Sequence, residues 1–339
     1  MKQKKNTKST SHQRPKRRCA KKRRYRTRNW REYNASLVAR GSLTLWIEQS
    51  VLEGWRNRER SGRRGASVTY SDAAIVAALS LRVVYSLPLR ATQGLLASVL
   101  KLMGLEDRQA WPVPNYSTLC RRQKGLAVRL PRQSTGKAVH LVVDSTGCKI
   151  YGEGEWKVRQ HGISKRRTWR KLHLAVDEAT GEIMAALLSS NGMSDSEALP
   201  GLLDEIGEPI AQLSGDGGYD QRRCYDTLRE RQEEQEHPIK VTIPPRRGAR
   251  IWQHGNSKQE RLARDENLRR IRAVGRAGWK KESGYHRRSL AETAVWRLKS
   301  RFGERLSNRL FETQATEAFV RCAALNKMTQ LGMPDSYAV

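Results

Sequence analysis

At 339 residues the chain is long enough for two or three domains and a substantial core. Its 65 Lys and Arg against 34 Asp and Glu leave a net charge of +31, which points to a polyanionic partner, nucleic acid first, and says nothing about fold. Five scattered cysteines without a C-x-x-C pair and histidines without H-x-x-x-H spacing argue against a zinc site or a disulfide framework. No apolar run approaches the ~20 residues of a membrane span, and no apolar stretch follows the basic start as a secretory signal requires.

Residues 1–28 carry fourteen Lys or Arg and no acid, a block expected to be disordered and to act as an electrostatic arm on phosphates or as a solvated tail. Residues 29–131 read as all-helical. An amphipathic stretch runs from Trp30 to Arg60. Ser71-Asp72 caps a helix through Ala73–Tyr85, and Pro88 opens another through Leu89–Met103. Asn115 caps a short helix from Tyr116 to about Ala127, which carries Arg121 and Arg122 as candidate DNA contacts. Such a set is read as a helix-turn-helix-like DNA-binding domain, with a bundle that scaffolds the rest of the chain as the alternative.

From residue 138 to about 333 the periodicity changes. His140–Asp144 is a short apolar run ending in an acid, as in a buried strand. Lys171–Val176 and Glu182–Ser189 form a hairpin across a turn sequence. Ser194-x-x-Glu197 is a capping box for a helix through Leu203. Ile210–Ser214 is a fourth strand, a helix runs from Asp220 to Gln235, and Ile239–Ile243 is a fifth strand. Residues 246–284, dense in Arg and Lys, read as a basic insertion. The succession predicts an α/β domain with a mixed central sheet.

Three acids stand out. Asp144 ends the first strand, and Asp216 ends the fourth among Gly215, Gly217 and Gly218, which leave the backbone bare for a bulky ligand. On a helix at 100° per residue, Tyr285, Arg288, Glu292 and Lys299 share a stripe roughly 60° wide, opposite Leu290, Ala291, Ala294 and Leu298. Carboxylates without His or Cys suit Mg²⁺. Two such ions about 3.5–4 Å apart can activate the attacking oxygen and stabilise the leaving one at phosphorus. Singly, each acid has a bland reading as a turn, a cap or a solvated face. Between Trp156 and Val176 lie Lys157, Arg159, Lys165, Arg166, Arg167, Arg170 and Lys171 with Trp156 and Trp169, and no acid, the pattern of a phosphate track with base stacking.

The spacing Tyr285-x2-Arg288-x3-Glu292-x6-Lys299 resembles the signature of DDE transposases from bacterial insertion sequences. The blocks at 142–147, 151–159, 165–174 and 215–220 resemble the insertion-sequence-five family. The resemblance implies a ribonuclease-H-like domain with Asp144, Asp216 and Glu292 as its metal-binding triad. It implies two Mg²⁺ ions (with Mn²⁺ as a substitute), cleavage at transposon ends and transfer of the 3′-hydroxyl into target DNA. It also implies a homodimer or larger synaptic complex working on double-stranded DNA at the bacterial nucleoid, in the cytoplasm. Arg288 and Lys299 then contact phosphates, and Trp252 or Trp279 in the insertion steadies a flipped base. The Gly217-Gly218 pair departs from the Gly-Ala of many relatives. The alternatives are a nuclease that cuts without joining and an inactive DNA-binding repressor.

Overall fold

The computed structural model describes residues 25–57, 69–105, 107, 109–133, 136–150, 169–235, 237–254 and 261–339. Residues 1–24 of the basic arm, and Trp156, Lys157, Arg159, Lys165, Arg166 and Arg167 of the proposed phosphate track, lie outside the described residues.

The end of the basic arm is ordered, against expectation. Strand β1 (Tyr25–Thr27) pairs antiparallel with β8 (Ser336–Ala338) at the far end of the chain, and the Arg28 N–H donates to Asp335 O at 2.8 Å. A local composition argument cannot see a strand partner three hundred residues away. The predicted stretch 30–60 is broken into α1 (Trp30–Ala39), α2 (Leu43–Trp46) and α3 (Gln49–Glu53). Helix α4 (Asp72–Val84) starts as the sequence indicates, with the Ser71 side chain accepting from the Ala74 N–H, a cap of about 1 kcal/mol. Helix α5 (Leu89–Leu102) follows Pro88. Helix α6 (Tyr116–Arg122) is capped by Asn115 but ends sooner than expected, before Gly125 at φ 72°.

The sheet is built from β2 (Val139–Ile150), β3 (Trp169–Asp177) and β4 (Ile183–Ser190), antiparallel in succession. Helix α7 (Asp195–Asp204) carries the Ser194–Glu197 capping box. Strand β5 (Ile210–Ser214) then pairs parallel with β2. A 3₁₀ turn (Gly217–Tyr219) and α8 (Arg222–Gln235) lead to β6 (Lys240–Thr242), parallel to β5. The order β4-β3-β2-β5-β6, three antiparallel strands continued by two parallel ones and flanked by helices, is the ribonuclease-H-like mixed sheet. The basic insertion becomes helical in α9 (Ala263–Glu282), which breaks at Gly275. A 3₁₀ turn (Tyr285–Arg288), α10 (Ser289–Phe302), β7 (Arg305–Leu306, parallel to β2) and α11 (Phe311–Gln330) complete the fold.

Alternation along β2 sorts the core. Leu141 and Val143 point to one face, where Leu199, Leu202, Cys224 and Leu228 of α7 and α8 cover them. Val142 and Cys148 point to the other, under Ala291, Ala294 and Leu298 of α10 and Ala318, Cys322 and Leu325 of α11. Helix α11 serves a second core as well. Its Val320, Ala324 and Met328 pack among Ile75, Leu79, Leu96 and Leu119 of the helical bundle. The Asn326 side chain, fully buried, bonds both the N–H and the C=O of Ile183 at 2.8 Å and the C=O of Pro131 at 3.0 Å, so α11 also ties down the edge strand and the segment before β2.

Candidate active site

Asp144 does not end its strand. β2 continues to Ile150 because residues 145–149 keep their antiparallel partners on β3 (Asp144 faces Leu174) and residues 149–150 gain β7. What ends near Asp144 is the other ladder: the register with β5 stops at Val142 opposite Ser214. Asp144 lies two residues past that pair on β2, and Asp216 lies two residues past it beyond the end of β5, where it caps the 3₁₀ turn. Asp144 shares a face with Val142, the face on which α10 lies, and α10 is the helix that carries Glu292. Alternation, register and helix packing together direct three carboxylates, 148 residues apart in sequence at the extremes, to one corner of the sheet.

Their electrostatics agree. Burial raises the Asp144 carboxyl above its ordinary range; the Ser145 N–H and the Arg288 guanidinium pull it back, and Asp216 and Glu292 push it up again. Arg288 bonds the Glu292 carboxylate directly. Burial works against the Arg288 charge, but Tyr285, Glu292, Asp144 and Asp216 outweigh it and raise its pKa. The Tyr285 phenol is raised by burial, with Arg288 opposing and Asp216 adding to the effect. Tyr285, Arg288 and Glu292 are therefore brought together, although Tyr285 and Arg288 lie in a 3₁₀ turn before the helix, where the angles of a continuous α-helix do not apply. Lys299, half-buried on α10, acts on Cys148, further along β2, and on Glu304, just before β7.

Among the described residues, no three His, Cys, Asp or Glu side chains gather closely enough to grip a metal ion. Glu292, with its side chain 53% exposed, turns to Arg288 instead of joining the aspartates. The donor set still fits a hard divalent cation: it offers carboxylate oxygens only, and Asp144 is buried in the field of Asp216 and Glu292, with Arg288 as the opposing cation.

A fourth acid belongs to this corner. Asp195, at the start of α7, reads from sequence as a helix-start residue beside its capping box. In the structure its Oδ1 lies 2.9 Å from Lys171 Nζ and 3.3 Å from Nδ1 of the fully buried His173, whose Nε2 is 2.9 Å from Ser189 Oγ. The neighbouring His173 ring holds the Asp195 carboxyl well below the usual range against burial, helped by Ser145 and Lys171. Ser145, Lys171 and His173 share the α7 face by strand alternation, so this group backs the strand from the side opposite Glu292. A Cβ on Gly218 would sit 2.9 Å from Asp216 Oδ1 and 3.6 Å from Asp195 Oδ2, so the two acids flank one bare stretch of backbone. The buried Tyr219 adds a hydroxyl with no hydrogen-bond partner among the described residues, and its pKa is driven up by burial and then by Asp195, Asp144 and Asp216. The only advance signal for Asp195 was its place directly after the hairpin, which is too general to single it out.

Other expectations meet different surroundings. Gly215 makes room for the Tyr219 ring, 2.9 Å from where its Cβ would be, and not for a ligand. Gly218 is the glycine whose bare backbone faces the acids. Lys171 is engaged with Asp195, and Arg170 bonds Gln314 Oε1 at 2.9 Å and stacks on Phe311, so both are tied within the fold. Trp169 packs on Gly147 and receives Lys149 over its ring. Arg122 pairs with Asp72 and donates to Tyr70 O, while Arg121 stays exposed. Trp279 is 2% exposed, bonded to Asn267 and tilted against Tyr285, which leaves no face for a base. Trp252 is held between Arg264, 3.7 Å from its ring centre, and the edge of Tyr225. Both tryptophans have indoles large enough that folding of the insertion itself claims them.

The sheet is ribonuclease-H-like, and two aspartates and a helix-borne glutamate lie toward one end of it. Two matches to the family description "Transposase DDE domain", over residues 38–153 and 135–327, complete the assignment: the chain belongs to the DDE transposases. Two solved assemblies are similar to it at low levels. A cryo-EM structure of a piggyBac transposase synaptic complex with hairpin DNA shares 11% identity, with 86% of this chain and 75% of that chain covered and a TM-score of 0.39. The Drosophila P element transposase strand transfer complex shares 11% identity, with 81% and 69% covered and a TM-score of 0.29. The family rests on the domain matches alone.

Proposed function

We propose that this DNA transposase binds terminal inverted repeats, cleaves at the transposon ends and joins the freed 3′-hydroxyl to target DNA, as an insertion-sequence-five type enzyme. The observation that supports the reading is that Asp144 and Asp216 each follow the last β2–β5 pair by two residues, and that both act with Glu292 on Arg288. These three acids are the residues to hold Mg²⁺, which when bound supplies charge neutralisation at the phosphodiester and activation of the attacking oxygen. Arg288, released from Glu292, is placed to take a phosphate oxygen in a bidentate grip. Tyr285 limits how Arg288 can turn. Asp195, through Ser145 and Lys171, holds β2 and β3 in place behind Asp144. Two copies of the chain at paired ends are expected of such chemistry.

The test is strand transfer. A pre-cleaved end bearing a 3′-hydroxyl, incubated with plasmid, Mg²⁺ and the full chain, should become joined to the plasmid. Asp144→Asn should reduce joining by a factor on the order of 10³ or more, since it removes a metal-binding oxygen from phosphoryl transfer. Cutting without joining would make the protein a nuclease. Equal joining by wild type and Asp144→Asn would remove these acids from the chemistry.

A further inference from the structure

A second cationic surface lies away from the carboxylates. The end of α4, the starts of α5 and α6, and the loop around β7 enclose an open groove of about 1250 Å³. Among the described residues, six arginines line it (Arg82, Arg90, Arg121, Arg305, Arg309 and Arg321) against a single acid, Glu317. That acid is already committed. It is 3% exposed, pairs with Arg321, and accepts the backbone N–H groups of Ser307 and Asn308 at 2.9–3.0 Å. Arg321 is paired with that acid and Arg305 has a partner of its own, so the groove's excess of positive charge is carried by Arg82, Arg90, Arg121 and Arg309.

Arg82 shows this most clearly. Its guanidinium is largely buried, yet its hydrogen-bond partners are the neutral amide oxygens Gln123 Oε1 at 3.3 Å and Asn308 Oδ1 at 3.4 Å. Burial lowers its pKa, with Glu317 opposing and Arg321 reinforcing. A buried cation without a paired anion is costly, and an incoming anion relieves that cost. Arg90 stands over the exposed Tyr116 ring at 4.3 Å, a planar cation and an aromatic face side by side at the mouth. The N-terminal residues Leu89 and Arg90 of α5 open into the same groove, with a helix dipole of favourable sign. The volume exceeds the roughly 300–1,000 Å³ of small-ligand pockets, which favours an extended polyanion over a single phosphate.

We propose that this groove seats the sugar–phosphate backbone of duplex DNA at a distance from the reacting phosphodiester. The fold connects the two places. Leu306 of β7 pairs with Ile150 on β2, six residues beyond Asp144. Six residues of strand span about 20 Å, which is about six phosphates along one strand of B-DNA. One duplex can thus lie on the groove and reach the acids. The choice of duplex DNA as occupant rests on the transposase reading; the existence of a polyanion site rests on the groove alone.

The experiment measures binding of the full chain to a labelled duplex in EDTA, where no cleavage occurs, across a series of salt concentrations. Arg90→Gln with Arg309→Gln changes two exposed residues on separate elements. It should weaken binding by on the order of tenfold and lower the slope of log affinity against log salt by about 1.8, which is 0.9 per phosphate contact. Arg121→Gln alone should lower it by about 0.9. Lys101→Gln with Arg229→Gln, an equal charge change outside the groove, should leave the slope unaltered. Unchanged slopes in the groove variants, or equal losses in the control pair, overturn the proposal. A chain that never joins strands but loses duplex binding in the groove variants sinks the transposase reading and keeps the groove; the opposite pattern does the reverse.

Discussion

Asp144 carries a charge that its surroundings penalise. Burial comes first; the Ser145 N–H and Arg288 offset it in part, and Asp216 and Glu292 add smaller repulsions. A carboxyl whose pKa is raised in the folded state binds its proton more tightly there than in the unfolded chain. Its ionised form therefore costs stability near neutral pH, and the cost fades as pH falls through the folded value. Asp144→Asn should accordingly raise the metal-free thermal midpoint by on the order of one to three degrees while removing strand transfer, and the gain should vanish in strong acid. A lowered midpoint at neutral pH would show that the carboxylate is held by contacts stronger than the repulsion. At this scale the sequence revealed the acids that interrupt a pattern: Asp144 after an apolar run, Asp216 among glycines, Glu292 in a mixed stripe. It concealed Asp195, because an acid in the first turn of a capped helix already has a sufficient local explanation. Its partners Lys171 and His173 lie on another element, and only the folded sheet brings them beneath it.

Elements place those residues, and their boundaries decide how. Strand β2 runs past Asp144 because β3 and β7 supply partners that no local window contains. The hairpin, the α7 capping box and the helix–strand alternation after it were readable because each rests on neighbours within a few residues. Helix α9 was not, since a run so rich in Arg and Lys shows little apolar face; its buried Leu268 and Trp279 are few. Gly275 interrupts α9 at φ 76° and ψ 160°, a backbone region essentially reserved for glycine. The break sits ten residues before Tyr285 and sets the path of the chain into the Tyr285–Arg288 turn. Gly275→Ala should destabilise the protein by about 1–3 kcal/mol, read as a lower urea midpoint, because a Cβ makes that conformation strained even though no neighbouring atom would clash. An alanine variant as stable as wild type would mean that α9 straightens at no cost, and that its path to Tyr285 is not fixed by the glycine.

The molecule as a whole is organised around α11. One stripe of that helix closes the bundle through Val320, Ala324 and Met328; another closes the sheet through Ala318, Cys322 and Leu325. The bundle is formed from the first third of the chain, yet its core is completed by residues near the other end, and β1 likewise borrows its partner from β8. Neither core retains its buried surface if α11 leaves. Cooperative unfolding requires such shared contacts, and chains of this length without them lose their parts in separate steps. Calorimetry should therefore show one principal transition for the described bundle and sheet. Met328→Ala, which touches only the bundle side, should cost about 2–5 kcal/mol and lower that same transition without splitting it. Two resolved transitions, with Met328→Ala moving one of them and sparing the other, would show that the helix belongs to one core and merely rests on its neighbour. In a protein that must keep a cationic groove on the bundle in register with acids on the sheet, a single rigid joint between them has a clear use: DNA seated on one part arrives at a fixed distance from the other.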